Sequence, residues 1–411
     1  MRRPSVSGPG EAAGLTGGLW VFSALRASAL SRPTGEIAHA RLTGCRQVES
    51  APNLTNLVHS PELFSLPVDD NDLARLEACL REAVLGEDDF LNEVASHLIE
   101  AGGKRLRPTL TITAALLSPE VVSRETLLGG VAVELVHLAS LYHDDVMDEA
   151  TRRRSVESVN ARWGNLVAIV AGDFLLARSA EIAASLGPEI AGLLAATLAR
   201  LCQGQVSEVR SAYQISRGEA QYLSAIANKT AALMATACRI GGLTAGLDRP
   251  AIDELTAFGE AFGMVFQIRD DVLDIIATEA ELGKPPGQDL AEGIYTLPVQ
   301  RALRDRVHGP RLQKLLGRPL TEPEREEARS VVAASPGILA ASDLAREYAL
   351  SAAKAASRLR PADPVVAGGD GRSAERVGRL ATALSEMSLQ VADDLEQAAE
   401  SARVRFEALA G

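Results

Sequence analysis

The sequence predicts an all-α protein built as a single large helical bundle. Leu and Ala are abundant while aromatic residues make up only 4% of the chain, a balance that favours helix over sheet. Long β-branched runs are few, and from about Asn71 onward apolar residues return at helical spacing between short breaks. At 411 residues the chain is long enough to bury a sizeable core.

Taken in order, residues 1–65 are rich in Gly, Ser, Pro and Arg and lack helical periodicity. They read as a disordered or non-native N-terminal extension, outside one domain spanning 66–411. The uncharged stretch 12–25 superficially resembles a signal peptide, but three glycines weaken it. Residues 72–85 form an amphipathic helix, and 90–100 a second, stopped by Gly102 and Gly103. A third helix, 108–117, opens with Pro108 at its first position, where the missing N–H costs nothing. Long helices follow at 127–149, 166–185, 189–212, 221–241 and 252–276. The last third is helix rich in Ala, Arg and Glu, interrupted by a loop at 361–373. No later segment reaches 18 uncharged apolar residues, so no membrane span is predicted.

A net charge of -12 argues against nucleic-acid binding, which recruits basic surfaces. Cys45, Cys79, Cys202 and Cys238 lie far apart with no CxxC, which suggests neither zinc knuckle nor disulfide framework and fits a reducing cytoplasm. Only five of the 42 basic residues are Lys. A Lys kept in so Arg-rich a chain hints that a compact point charge is wanted, as at a phosphate.

Asp144, Asp145 and Asp148 stand at i, i+1 and i+4, and Asp270, Asp271 and Asp274 repeat the pattern at the end of a second apolar helix. On a helix, i and i+4 share a face, so each set can present oxygens to one site. Mg²⁺ suits this, because it takes one or two carboxylates and completes its shell with water and phosphate oxygens. One such motif is weak evidence, since it also describes a solvated acidic helix end. Two copies are stronger, because grouped like charges repel unless cations neutralise them. The run Gly102-Gly103-Lys104-Arg105-Leu106-Arg107-Pro108 reads as a basic loop feeding a helix N-terminus, an anion site or else a capping glycine pair beside solvated cations. Arg107, preceding Pro, is expected outside helical geometry. Arg152-Arg153-Arg154 follow the first aspartates, and Lys229-Thr230, Gln267 and Lys284 on a Gly/Pro loop complete the set. Each alone would more often be surface.

Together, GGKRLRP, HDDVMDEATRRR, NKT, FQIRDDVLD and GKPPGQDL, in this order, resemble the trans-isoprenyl diphosphate synthase (polyprenyl synthetase) family, strongly over about 73–303. The resemblance implies an all-α bundle with a deep central cavity, a homodimer, and the two aspartate motifs facing across the cavity mouth. It implies that Lys104, Arg107, His137 and Arg154 hold isopentenyl diphosphate. Arg153, Lys229, Thr230, Gln267 and Lys284 would contact the allylic diphosphate. Asp144, Asp148 and Asp270 would bind Mg²⁺, roughly three ions per site bridged by diphosphate. Asp145, Asp271, Asp274 and Lys229 would complete the catalytic set. Three positions depart from the family pattern: Ser155 stands where Gly is usual, Ile294 for a second Lys, and Gln205 for a frequent Glu.

The implied chemistry is ionisation of the allylic diphosphate, attack by the double bond of isopentenyl diphosphate, and loss of a proton. A class I terpene cyclase shares the first aspartate motif, but the second DDxxD and GGKRLRP speak against it. A non-catalytic subunit of a heteromeric synthase would keep the fold and lose motifs, whereas here they are intact. In the family a bulky aromatic about one turn before the first aspartate acts as a floor. Here Ala139 and Ser140 take that place, with Val136 and Ala132 deeper. Small side chains leave the tunnel open and favour products of about C30 to C50 over C15 or C20.

Overall fold

Side-chain caps set the first helix starts in this chain. The computed structural model of the protein describes residues 66–119, 121–282, 285–360 and 371–410. The expected tail 1–65, Lys284 and most of the loop at 361–373 lie outside them. Asp69 accepts from the N–H of Asn71 at 2.8 Å to open α1, Asp70–Ala83. Asp88 does the same for Leu91 at the start of α2, Asp89–Glu100. After Gly102 and Gly103, both at positive φ, the chain enters α3, Leu106–Ala115.

This third start corrects the sequence reading. Pro108 is the third helical residue and Arg107 lies within the first turn. First-turn N–H groups have no intrahelical acceptor, so Pro108 removes no hydrogen bond there. Arg105, at φ 47°, makes the turn instead.

Ser123 caps α4, Arg124–Met147. A small hairpin follows, β1 (Arg152–Arg153) against β2 (Val156–Glu157), pairing Arg152 with Glu157 and Arg153 with Val156. Then come α5 (Val159–Trp163), α6 (Asn165–Ser185) and α7 (Pro188–Ser211). The helix expected at 221–241 is three pieces: α8 (Glu219–Ile226), a π-helical turn (Ala227–Ala231) and α9 (Ala232–Thr244). Next is α10, Arg249–Ile276, then the short α11 (Glu279–Leu282) and α12 (Gln288–Glu292). The remainder is α13 (Leu297–Arg304), α14 (Gly309–Leu315), α15 (Glu322–Ala334), α16 (Gly337–Ser357) and α17 (Gly371–Ala410). Residues 371–373, expected in the loop, already belong to α17.

The bundle is organised around α4 and α10. Helix α4 packs against α1, α3, α6 and α9, and α10 against α9, α16 and α17. Ala132, Val133 and Val136 of α4 join Leu233, Ala237, Phe258 and Phe262 in the central cluster. Its other face, through Leu135, Leu138, Ala139 and Tyr142, packs with α1, α2 and α6. Burying a side chain such as Leu or Phe contributes about 1.5–3 kcal/mol each, so α4 is held from both sides. By length and composition α4 is apolar enough to cross a membrane, yet most of it is buried inside the bundle. At Gly259 a Cβ would stand 2.7 Å from the Met234 carbonyl, so glycine lets α10 lie close against α9. These packed helices bring the C-terminal ends of α4 and α10 to the basic segment before α3.

Candidate active site

Both aspartate motifs sit at helix C-termini. Asp144 and Asp145 lie in the last turn of α4 with Asp148 as its C-cap, and Asp270, Asp271 and Asp274 occupy the last two turns of α10. A helix C-terminus already carries partial negative charge, so each motif adds carboxylates where a cation is most wanted. Half-buried Asp144 has its pKa pushed up to about 6 by burial, against the pull of Lys229 and with a push from Asp148. Asp148 is exposed.

The middle aspartates turn inward. Asp145 is fully buried and pairs with Arg153 at 2.5 Å, while its second carboxylate oxygen has no partner. Burial raises its pKa and Arg153 opposes that. Asp271, 4% exposed, accepts from the Tyr222 hydroxyl at 2.5 Å and from Gln267 at 2.8 Å. Burial pushes its pKa up to about 7. Asp270 stays half exposed and pairs with Arg269 at 2.8 Å. Asp274 accepts from the N–H groups of Gln288 and Asp289, both at 3.3 Å. It thereby anchors the loop that carries Pro285–Gly287 to α10.

Lys229 and Thr230 lie on the π-helical turn, a feature that often marks functional sites. Thr230 donates to Gln267 at 2.6 Å, extending the network that ends on Asp271. Lys229 reaches Glu208 at 2.5 Å. Burial works against its charge, but Glu208 and Asp144 outweigh it and raise its pKa. A Cβ on Gly204 would stand 2.7 Å from the Lys229 backbone nitrogen, so glycine at that point lets α7 press against the turn.

On the other side lies a cavity of about 130 Å³ lined by Lys104, Arg107, Glu134, His137, Arg154 and Phe266 among others. Arg107 is in the first turn of α3, and its buried Nε has no hydrogen-bond partner. His137 projects from α4. Its pKa lies well below the usual value because of burial and then of Arg107 and Arg154, so it is neutral near pH 7. Burial and the neighbouring Arg269 lower the pKa of Lys104, while Asp270 raises it, which joins this cavity to the second motif.

Most residues singled out in the sequence therefore meet around one site. Ala139 is fully buried on the α1, α2 and α6 side of α4, whereas Val136 and Ala132 lie in the central cluster. Half-buried Ser140 donates to the His137 carbonyl at 2.7 Å. Sequence reasoning missed Arg105, Glu134 and Tyr222. Glu134 carried a signal, an acid in the apolar middle of its helix one turn before His137; Tyr222 carried none, because its partner lies 49 residues away.

Among the described residues no three Asp, Glu, His or Cys side chains form a ready-made metal cage. The donor set suits a divalent cation nonetheless: two sets of carboxylates on helix C-termini, with a buried unpartnered oxygen on Asp145.

A family model described as polyprenyl synthetase matches residues 88–333. The chain is 40% identical over 284 residues to a nonaprenyl diphosphate synthase of Mycobacterium tuberculosis, covering 68% of this chain and 84% of that protein. It is equally 40% identical over 282 residues to heptaprenyl diphosphate synthase component 2 of Geobacillus stearothermophilus, covering 68% and 86%. The crystal structure of a polyprenyl synthase from Caulobacter crescentus, complexed with calcium and isoprenyl diphosphate, superposes with a TM-score of 0.70 at 30% identity. That likeness covers 82% of this chain and 98% of the other. With the fold, two aspartate helix ends and a basic cavity in agreement, the chain belongs to the polyprenyl synthetase family and is a prenyltransferase.

Proposed function

We propose that the basic cavity holds isopentenyl diphosphate and that the space between the aspartate motifs and Lys229 holds the allylic diphosphate. The observation that carries this reading is a cavity lined by Lys104, Arg107 and Arg154 beside the C-terminal end of α10. Its guanidinium groups suit a diphosphate by forked hydrogen bonds. Neutral His137 adds a hydrogen bond without repelling the arginines. Lys229, Thr230 and Gln267 orient the allylic diphosphate so that its C–O bond points at the neighbouring double bond, with Arg153 beside them and Lys284 outside the described residues. Asp144, Asp148 and Asp270 would hold Mg²⁺, which would supply the positive charge that makes diphosphate a good leaving group. The C–O bond breaks with its electron pair on diphosphate, the double bond of isopentenyl diphosphate forms the new C–C bond, and a proton leaves to diphosphate. Asp145, Asp271 and Asp274 act on position: they fix Arg153, Gln267 and the α10–α12 loop.

Products are proposed to be all-trans and of about C30 to C50, since Ala139 and Ser140 put small side chains, rather than a bulky aromatic, one turn before the first aspartates. The long-chain relatives support this. Exposed Leu166, Ile169 and Val170 on α6 and Val206 and Val209 on α7 are apolar stripes suited to a homodimer. Free Cys79, Cys202 and Cys238 suit a reducing cytoplasm. Deleting residues 1 to about 60 is proposed to leave the enzyme active. A second reading, an active subunit needing a different partner chain, draws on the relative named as a component. Incubating the purified chain with Mg²⁺, labelled isopentenyl diphosphate and a short allylic primer tests both. Elongation by the chain alone that stops with a chelator is expected; elongation only after adding another protein favours the second reading, and turnover in excess chelator contradicts both.

A further inference from the structure

Glu134 is the one carboxylate among the residues lining the basic cavity, and it is 2% exposed. Its Oε1 lies 3.3 Å from Nη1 of Arg105 and 3.9 Å from Nη2 of Arg154. A buried carboxylate needs such partners, because leaving one unpaired in the interior costs several kcal/mol. Both arginines sit on left-handed backbone, at φ 47° and 50°. Both also clasp the end of α2: Arg105 donates to the Ile99 carbonyl at 2.8 Å, and Arg154 to the Leu98 carbonyl at 2.8 Å and to that of Gly102. Glu77 takes the far side of Arg105 at 2.6 Å. The two guanidinium groups thus share one anchor, which stands one helical turn from His137 on α4.

We propose that Glu134 is a positioning residue whose carboxylate aims Arg105 and Arg154, and so sets how tightly the cavity grips its diphosphate. Lys104, Arg105, Arg107 and Arg154 outnumber this single acid in the lining, so an anionic ligand still meets a positive cavity. Without Glu134, Arg105 keeps Glu77 but Arg154 keeps only backbone carbonyls, so no carboxylate stands between the two guanidinium groups and Arg154 is pushed away from its ligand.

This rests on the cavity being the isopentenyl diphosphate site, and Arg107→Gln provides the control for that. Glu134→Gln keeps the shape and removes the charge. It is expected to raise KM for isopentenyl diphosphate about tenfold with KM for the allylic primer unchanged, an indirect share of a charged hydrogen bond. On an Arg154→Gln background the same change should add little. Electrostatic repulsion alone would make Glu134→Gln bind isopentenyl diphosphate more tightly, and a purely structural role would lower Tm and shift both KM values together; either result overturns the proposal. Glu134→Asp, which keeps the charge but shortens the reach, covers the case in which the Gln variant does not fold. It should raise KM for isopentenyl diphosphate alone by a few fold, and no change overturns the proposal. If Arg107→Gln also leaves that KM unchanged, the assignment of the cavity itself fails.

Discussion

Asp145 and Asp271 hold the second place in their motifs, and each is buried against a partner that lies in or leads to the substrate space. Asp144, Asp148 and Asp270 remain at least partly open to solvent. This division of labour within DDxxD bears on how substitutions should read. Replacing Lys104 or Arg107 by Gln should raise KM for isopentenyl diphosphate, and Lys229→Gln should raise it for the allylic partner. Each effect should be about ten- to a hundredfold, the usual cost of a charged hydrogen bond. Steady-state kinetics with each substrate varied checks this, and equal effects on both substrates from both sets would contradict it. His137 gives a test by pH. Its folded pKa is depressed, so below about 6.5 the unfolded chain takes up a proton that the folded chain refuses. Stability from this group is therefore present above that pH and lost as pH falls. The Tm difference between wild type and His137→Gln should move against wild type between about pH 7.5 and 5.5; a difference constant with pH would show that the imidazole titrates normally.

At the scale of elements, the hairpin after α4 decides where the arginines go. Its two-residue turn, Arg154-Ser155, has φ 50° and 66°, the signs a type I′ turn demands. Neither residue is Gly, although Gly at the second position avoids the Cβ clash that costs about 1–2 kcal/mol in left-handed backbone. Ser155→Gly is therefore expected to raise stability by up to about 1 kcal/mol with activity kept, read by chemical denaturation and by initial rates. A loss of stability would mean that the Ser155 side chain makes a contact worth more than the strain. The π-helical turn is a second such device. By adding a residue to the helical turn it places Lys229 and Thr230 over Glu208 and Gln267, a shift that apolar periodicity across 221–241 did not reveal.

Product length belongs to the whole molecule, because it depends on the space left between packed helices. Ala139 is fully buried against α1, α2 and α6. Ala139→Phe should shift products to shorter chains while the first condensation persists, with about 1–3 kcal/mol lost to overpacking. Chromatography of labelled products alongside a thermal melt checks both. An unchanged product range in a folded variant would place the floor on another helix.

The sequence by itself determined the helical class, most helix positions and the two aspartate motifs. These depend on local signals: apolar spacing, capping residues, and charges at i and i+4. Of the cations singled out in the sequence, Lys104, Arg107 and Arg154 line one cavity and Lys229 stands near Asp144. Only the tertiary structure decided which aspartates turn inward, that Arg107 is helical, and that Glu134 sits under the cations. Tyr222 meets Asp271, and Arg105 meets Glu134, across separations of 49 and 29 residues. Such pairs form only when packed helices bring distant groups into a low-dielectric interior. There an unpaired charge is too costly to keep, so the fold, rather than the local pattern, selects the partner.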